Sequence, residues 1–415
     1  MRTFAITILF LFGAHFGVSA QADTAGYIVR GTDTLRYGYT PLPAAEAHVA
    51  ADTLRSAEAR KPFFRRVVDY FGESSRDKTF EKKLDITFIG GISYSQTTSL
   101  GFALMAAGQY RIDRTDSITQ PSNVSLYGNV SLTGFYAVGV SGNTFFPHRG
   151  RMNYEVQFSS QPTDFWGIGY RMGSDEANKM NFSRKKVLVS AQYLYPVLQN
   201  TYVGASVDFN FTRGLFGFAD SAERFKYIGD ERLTYTATGL GLMVQYDSRD
   251  YITGPSRGLY LSAHGRVFPK GLGNCDNTLW SAVIQADYYH ALWKDAIVAV
   301  DLYGELHNRT TPWTLLARLG GSYRMRGYYE GRYTDNNLIT ATVEIRQRIW
   351  RRIGCVVWGG AGNVFGSFGT FDWGHTLPNY GLGLRWELKH RVNVRIDYGF
   401  GRKTNGLVLN INEAF

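Results

Sequence analysis

Near its C-terminal end the chain repeats one pattern. Val392, Val394, Ile396, Tyr398 and Phe400 alternate with Asn393, Arg395, Asp397 and Gly399. A two-residue period belongs to a strand whose two faces lie in different surroundings. The preceding segment does the same, with Tyr380, Leu382, Leu384, Trp386 and Leu388 interleaved with Gly381, Gly383, Arg385 and Glu387. Further upstream, Trp280, Ala282, Ile284, Ala286 and Tyr288 alternate with Ser281, Val283, Gln285, Asp287 and Tyr289. Beyond the first twenty residues no uninterrupted apolar stretch reaches the ~18 that a membrane helix needs. Composition agrees: 15% of residues are aromatic, and 46 glycines stand against 11 prolines. Such a balance favours strands over helices.

Alternation alone fits both a soluble sandwich and a membrane barrel, and context separates them. Arg2, the apolar run Ala5–Gly13 and the small residues Val18-Ser19-Ala20 form the pattern of a secretory signal peptide, so the mature chain is expected to begin at Gln21. Roughly ten-residue alternating segments, many aromatics and a final Phe415 then indicate a transmembrane antiparallel β-barrel in the outer membrane of a Gram-negative bacterium. The formal charge of +10 suits an anionic membrane surface, with outer-membrane lipid and lipopolysaccharide as neighbours, better than nucleic acid for an exported chain.

Sixteen segments fit: 99–111, 122–133, 134–147, 150–160, 163–173, 183–196, 199–213, 232–246, 257–268, 277–291, 295–308, 336–349, 353–366, 378–389, 391–401 and 405–415. Connections expected outside the cell include 112–121, 174–182, 214–231, 269–276, 309–335 and 367–377, whereas 161–162, 197–198, 292–294, 350–352 and 390 are tight. Short connections at 148–149 and 402–404 and a longer turn at 247–256 break the rule. Residues 21–98 read differently. Ala44–Ala59 has helical character, Pro62 interrupts it, and Phe63–Phe71 fits a second short helix. Leu84, Ile86 and Phe88 signal a strand, but a seventeenth strand spoils the even count. The division is therefore a signal peptide at 1–20, a partly helical periplasmic extension or plug at 21–98, and a barrel at 99–415, with both ends of the mature chain periplasmic.

One connection stands out. GSYRMRGYYEGRY, Gly321 to Tyr333, carries three arginines and four tyrosines where a simple loop would use Asn, Asp, Ser and Gly. Arginine forks suit fixed docking. The RGY of Arg326-Gly327-Tyr328, YDSRDYITGP at Tyr246–Pro255, Val343-Glu344-Ile345-Arg346, Ala361-Gly362-Asn363-Val364-Phe365 and the final Phe415 together resemble the BamA/TamA outer-membrane assembly superfamily, the bacterial surface antigen barrels. The resemblance covers about 99–415. It implies a sixteen-stranded barrel whose long loop folds back into the lumen, docked by its arginine on the inner wall. Alternation puts Glu344 and Arg346 on that wall, with Asp301 and Glu305 on the preceding strand. The expected lock is therefore Arg326, Gly327, Tyr328 and Glu344, with Asp301, Glu305 and Arg346 as secondary partners. The family's usual Asp before the Ala-Gly pair is replaced by Gly360, so one counter-charge is missing. Clear POTRA modules are also missing, and 21–98 has room for at most one.

The resemblance implies a part in outer-membrane biogenesis, inserting or translocating client proteins or lipids. A passive or gated pore is the alternative, since barrels of this size can hold a channel. A barrel lipase is a third reading, but no Gly-x-Ser-x-Gly elbow or His-Glu-x-x-His spacing is present. No catalytic residue, metal or cofactor is expected. Leu407, Leu409, Ile411 and Phe415 read as one face of the last strand, and the terminal aromatic after such a face resembles the signal by which a cell's barrel-assembly machinery recognises its substrates. Cys275 and Cys355 fall near opposite ends of the strands, much farther apart than the ~7 Å a disulfide allows, so two free thiols are expected.

Overall fold

The computed structural model describes residues 80–415, apart from 81, 96, 114, 116–118, 120, 148, 149, 253, 390 and 391. The expected signal peptide and nearly all of the 21–98 extension lie outside the described residues. Strands follow in order: β1 (Asp85–Ser95), β2 (Ser99–Tyr110), β3 (Ser122–Ser131), β4 (Tyr136–Phe145), β5 (Arg151–Phe165), β6 (Met180–Leu198), β7 (Thr201–Phe216), β8 (Thr234–Asp247), β9 (Gly258–Phe268), β10 (Leu279–Trp293) and β11 (Ala296–His307). After a long insertion come β14 (Asn337–Trp350), β15 (Ile353–Phe365), β16 (Leu377–Lys389), β17 (Val392–Gly401) and β18 (Thr404–Ile411). The insertion holds β12 (Ala317–Leu319) and β13 (Tyr333–Asp335), a separate two-stranded sheet. Short helices α1 (Tyr170–Ser174) and α2 (Ser221–Ile228) lie in two other loops.

Each barrel strand pairs antiparallel with its chain neighbour, and β11 pairs with β14 across the insertion. The order returns from β18 to β1, making a barrel of sixteen strands. That last junction differs from the others. β1 and β18 meet in the single described pair Tyr94 with Leu409, whereas β17 and β18 are paired from Val394–Ile411 to Gly401–Thr404.

The alternation is resolved in favour of a membrane barrel. Leu242 on β8 is 75% exposed and Leu382 on β16 is 58% exposed, while Arg395 and Asp397 on β17 are fully buried inside. A sandwich would bury the leucines and wet the charges; here the apolar face looks outward, as contact with lipid demands. The shortest connections turn on residues in the left-handed region, Asn200, Asp295, Arg351 and Lys403. Most of the tight turns lie at one end of the barrel with both ends of the described chain; the longer loops lie at the other.

Two expectations on the strands are corrected. The barrel begins at Asp85 and not at Ser99, because the Leu84–Phe88 signal belongs to a true strand, β1, paired along its length with β2. The segment 163–173 is not a strand. β5 runs straight through the expected turn at 161–162 to Phe165, then Gly167 and Gly169, both at positive φ, lead into α1. The start of β4 lies opposite Ser160, so from Gln161 onward β5 is an edge, the setting in which a strand tolerates a residue such as Pro162. One strand gained and one lost keep the total at sixteen. They also move three connections to the opposite end of the barrel: 111–121 joins the end that holds the tight turns, 132–135 joins the end of the longer loops, and the turn around 148–149 ceases to be an exception.

Cys275 is buried in a loop at one end and Cys355 sits near the start of β15 at the other; both are free thiols.

Candidate functional site

The insertion between β11 and β14 turns into the lumen because its tip can bend where side chains could not. Gly320, Gly321, Gly327 and Gly331 all have positive φ. At Gly327 the need is absolute, since a Cβ there would lie 2.4 Å from the carbonyl oxygen of Gly399 on β17. Gly399 is equally constrained, for its own Cβ would fall 2.1 Å from the carbonyl oxygen of Arg326. Loop and wall thus meet backbone to backbone through two facing glycines.

That contact delivers Arg326 to a buried pair of acids. Its guanidinium is 1% exposed; Nη1 donates to Asp397 Oδ2 at 2.7 Å, and Nη2 donates to Glu344. The plane lies over the indole of Trp358 on β15, 3.7 Å from the ring centroid. Asn379 on β16 donates to the Arg326 carbonyl and itself receives the Trp358 Nε1–H at 3.1 Å. Tyr328 follows. Its hydroxyl donates to the Pro378 carbonyl at 2.7 Å and accepts the Arg402 backbone N–H at 2.6 Å, with the ring laid beside Gly401. Thr404 Oγ1 donates to the Gly327 carbonyl. Arg326, Gly327, Tyr328 and Glu344, named from sequence, therefore come together as one lock.

The secondary partners divide differently from expectation. Asp301 accepts from Arg324, whose Nε and Nη2 approach it to 2.9 and 2.7 Å, and not from Arg326. Glu305 faces His307 and Tyr303, each at 3.0 Å, and so serves the wall and not the loop. Arg346 does join, donating to Glu344 at 3.0 Å. The counter-charge missing at Gly360 is supplied by Asp397, which also accepts from Arg385 and from Arg395 at 2.7 Å. Asp397 was visible as an inward residue of an alternating strand, but it stands 71 positions from Arg326, and no local pattern joins them.

Phe415 is a further correction. β18 ends at Ile411, and Asn412, with φ of 66°, turns the chain away from the outward face. Glu413 then lies inside, accepting from Arg385 at 2.8 Å and from Asn393 at 2.6 Å. The Phe415 carbonyl accepts from Arg346 at 3.0 Å, and that guanidinium lies 5.1 Å from the Phe415 ring. Cation–π attraction and a captured carbonyl hold the aromatic in the lumen.

Elsewhere the loop spans the barrel. Tyr329 hydrogen-bonds Thr163 and the Asp164 backbone N–H, and Arg332 donates to the Gly173 carbonyl. Over the loop end lies a lid of rings: Phe165, Phe182, Phe216, Tyr227 and Trp313 pack together. Glu231 is half-buried at its edge and accepts the Trp313 backbone N–H at 2.7 Å. Burial pushes its carboxyl up to about 6, against the pull of that hydrogen bond.

The profile of the Omp85 superfamily domain matches residues 112–415. The chain belongs to the Omp85 superfamily. Three solved barrels show how far the fold likeness of this Omp85 protein extends. BamA of Haemophilus ducreyi, lacking its POTRA domains 1–3, superimposes with a TM-score of 0.56 at 13% identity, over 79% of this chain and 70% of that one. CdiB of Escherichia coli gives 0.57 at 10% identity over 80% and 63%, and CdiB of Acinetobacter baumannii gives 0.52 at 13% over 80% and 60%. The chain thus spans less than two thirds of either CdiB. No curated protein matches the sequence.

Proposed function

We propose that this Omp85 barrel acts in outer-membrane biogenesis, inserting or translocating proteins or lipids, with both ends of the chain in the periplasm. The observation that carries the reading is the junction of β1 and β18. One described ladder pair, Tyr94 with Leu409, joins strands that elsewhere pair along their length. Hydrogen-bonded ladders hold a barrel shut, so this is where the wall opens at least cost. A passive pore would use the lumen instead, and there Arg326, Tyr329 and Arg332 tie the loop across the channel. No enzymatic role is proposed: the Ser206 hydroxyl meets His264 Nε2 at 2.9 Å, but Asp208 binds the serine and not the histidine that a base would need oriented.

The test depletes the protein in its host and scores levels of folded outer-membrane proteins and of surface lipid. Complementation then uses Tyr94→Cys with Leu409→Cys, across a directly opposed pair whose spacing suits a disulfide. The reading expects assembly to fall on depletion, to return with wild type, and to return with the double cysteine variant only under reductant. Normal assembly after depletion, with steady conductance of the purified barrel, would support the pore instead.

A further inference from the structure

At the turn end of the barrel a cavity of about 270 Å³ lies between the ends of β10, β11 and β14–β17 and the inturned tail. Four arginines line it: Arg346 and Arg385 from the lumen, Arg348 and Arg352 from the rim. The inner two are 6% and 5% exposed. Each spends two donors on the lock. Arg346 gives Nε to Glu344 and Nη2 to Phe415; Arg385 gives Nε to Glu413 and Nη1 to Asp397. Arg346 Nη1 and Arg385 Nη2 remain buried without any acceptor. A buried charged donor with no partner is rare in folded proteins and calls for one.

The lining also includes Asp295, Glu387 and Glu413, so four positive charges face three negative ones and one remains in excess. Two of the acids are already engaged, Glu413 by Arg385 and Glu387 by Arg348 at 3.8 Å. What the cavity lacks is an anion with several oxygens to accept from planar forks, the geometry that guanidinium groups match in phosphate. Its position narrows the source. Trp293 and Ile353 line the cavity and are also exposed on the outer wall, with Trp350 exposed nearby, and tryptophans at that level mark the membrane interface. We propose that the cavity binds a phosphate group, that of an anionic phospholipid whose acyl chains lie along Trp293 and Ile353. The lipid would bridge the wall to the inturned tail without touching the loop.

The full-length protein, purified in detergent, is titrated with inorganic phosphate against chloride of equal ionic strength, and its unfolding temperature is followed. In parallel, native mass spectrometry counts lipid retained from bilayers of phosphatidylcholine with and without phosphatidylglycerol. The proposal expects a saturable upward shift with phosphate, selective retention of phosphatidylglycerol, and loss of both in Arg348→Gln with Arg352→Gln, which lie outside the lock. Should that double variant fail to fold, Arg352→Lys alone must still weaken the phosphate shift, because it keeps the charge and loses the fork. No shift beyond chloride, or a shift unchanged in the variants, overturns the site. Phosphate binding without preference for phosphatidylglycerol overturns the lipid as its source.

Discussion

The lock is most exposed at Asp397. Four buried arginines, 326, 346, 385 and 395, share three buried acids, Glu344, Asp397 and Glu413, and Asp397 alone receives three of the four. Asp397→Asn preserves shape and removes one charge, leaving four cations for two acids. Arg326 keeps Glu344 and Arg385 keeps Glu413, but Arg395 retains the Ser322 carbonyl with no carboxylate described beside it. Stranding a buried charge costs roughly 3–5 kcal/mol, while a charge-assisted hydrogen bond contributes about 1.5–3. Asp397→Asn should therefore lower unfolding stability by about 3–5 kcal/mol. Removing the stranded cation should repair part of this: Asp397→Asn with Arg395→Met should fall short of the sum of the single losses by about 1.5–3 kcal/mol. The assay is urea unfolding in micelles, paired with external protease cleavage of 320–332. Additivity within ~0.5 kcal/mol, or an Asp397→Asn barrel as stable as wild type, would refute a hub centred on this acid.

Other outcomes follow from the same geometry. Gly399→Ala should expel the loop tip, since its Cβ collides with the Arg326 carbonyl; single-channel conductance should rise and 320–332 become protease-sensitive. Glu231 has its carboxyl raised from 4.5 to about 6 by burial, so the lid should be most stable below pH 4.5 and lose that increment as pH rises through 6. Limited proteolysis of the loops at pH 5 and pH 7 should show this, and Glu231→Gln should abolish the difference. Phe415→Ala should lower the amount of folded, heat-modifiable protein, with Arg346→Ala giving a similar loss if the inturned ring is what matters.

What the sequence disclosed and what it withheld divide along one physical line. Period-two patterning is local, so the strands around Leu382 and Val394 and the inward aim of Glu344 were legible without any fold. Pairing across the barrel is not local. Asp397 showed its face but not its partner, and Asp301 and Glu305, chosen by proximity in the chain, serve Arg324 and His307 instead. At the N-terminal side the even strand count excludes 85–95 only as long as 163–173, whose glycines lead into a helix, is counted as a strand. Strand alternation continued through Asn412 puts Phe415 on the face of Leu407 and Leu409, but a left-handed residue ends the alternation there.

The described side-chain ties of the loop tip to barrel strands fall on β5, β11 and β14–β18, Trp313 of the same insertion packs on Phe182 of β6 and Phe216 of β7, and the tail after Ile411 is moored to β14, β16 and β17. The two banks of the β1–β18 seam are therefore unequal in stiffness. β18 is backed by ion pairs running several strands deep, whereas β1 and β2 carry small inward residues, Gly91, Ala103 and Ala107. If the wall parts there, as the proposed function requires, β18 is the doorpost and β1 the side that yields.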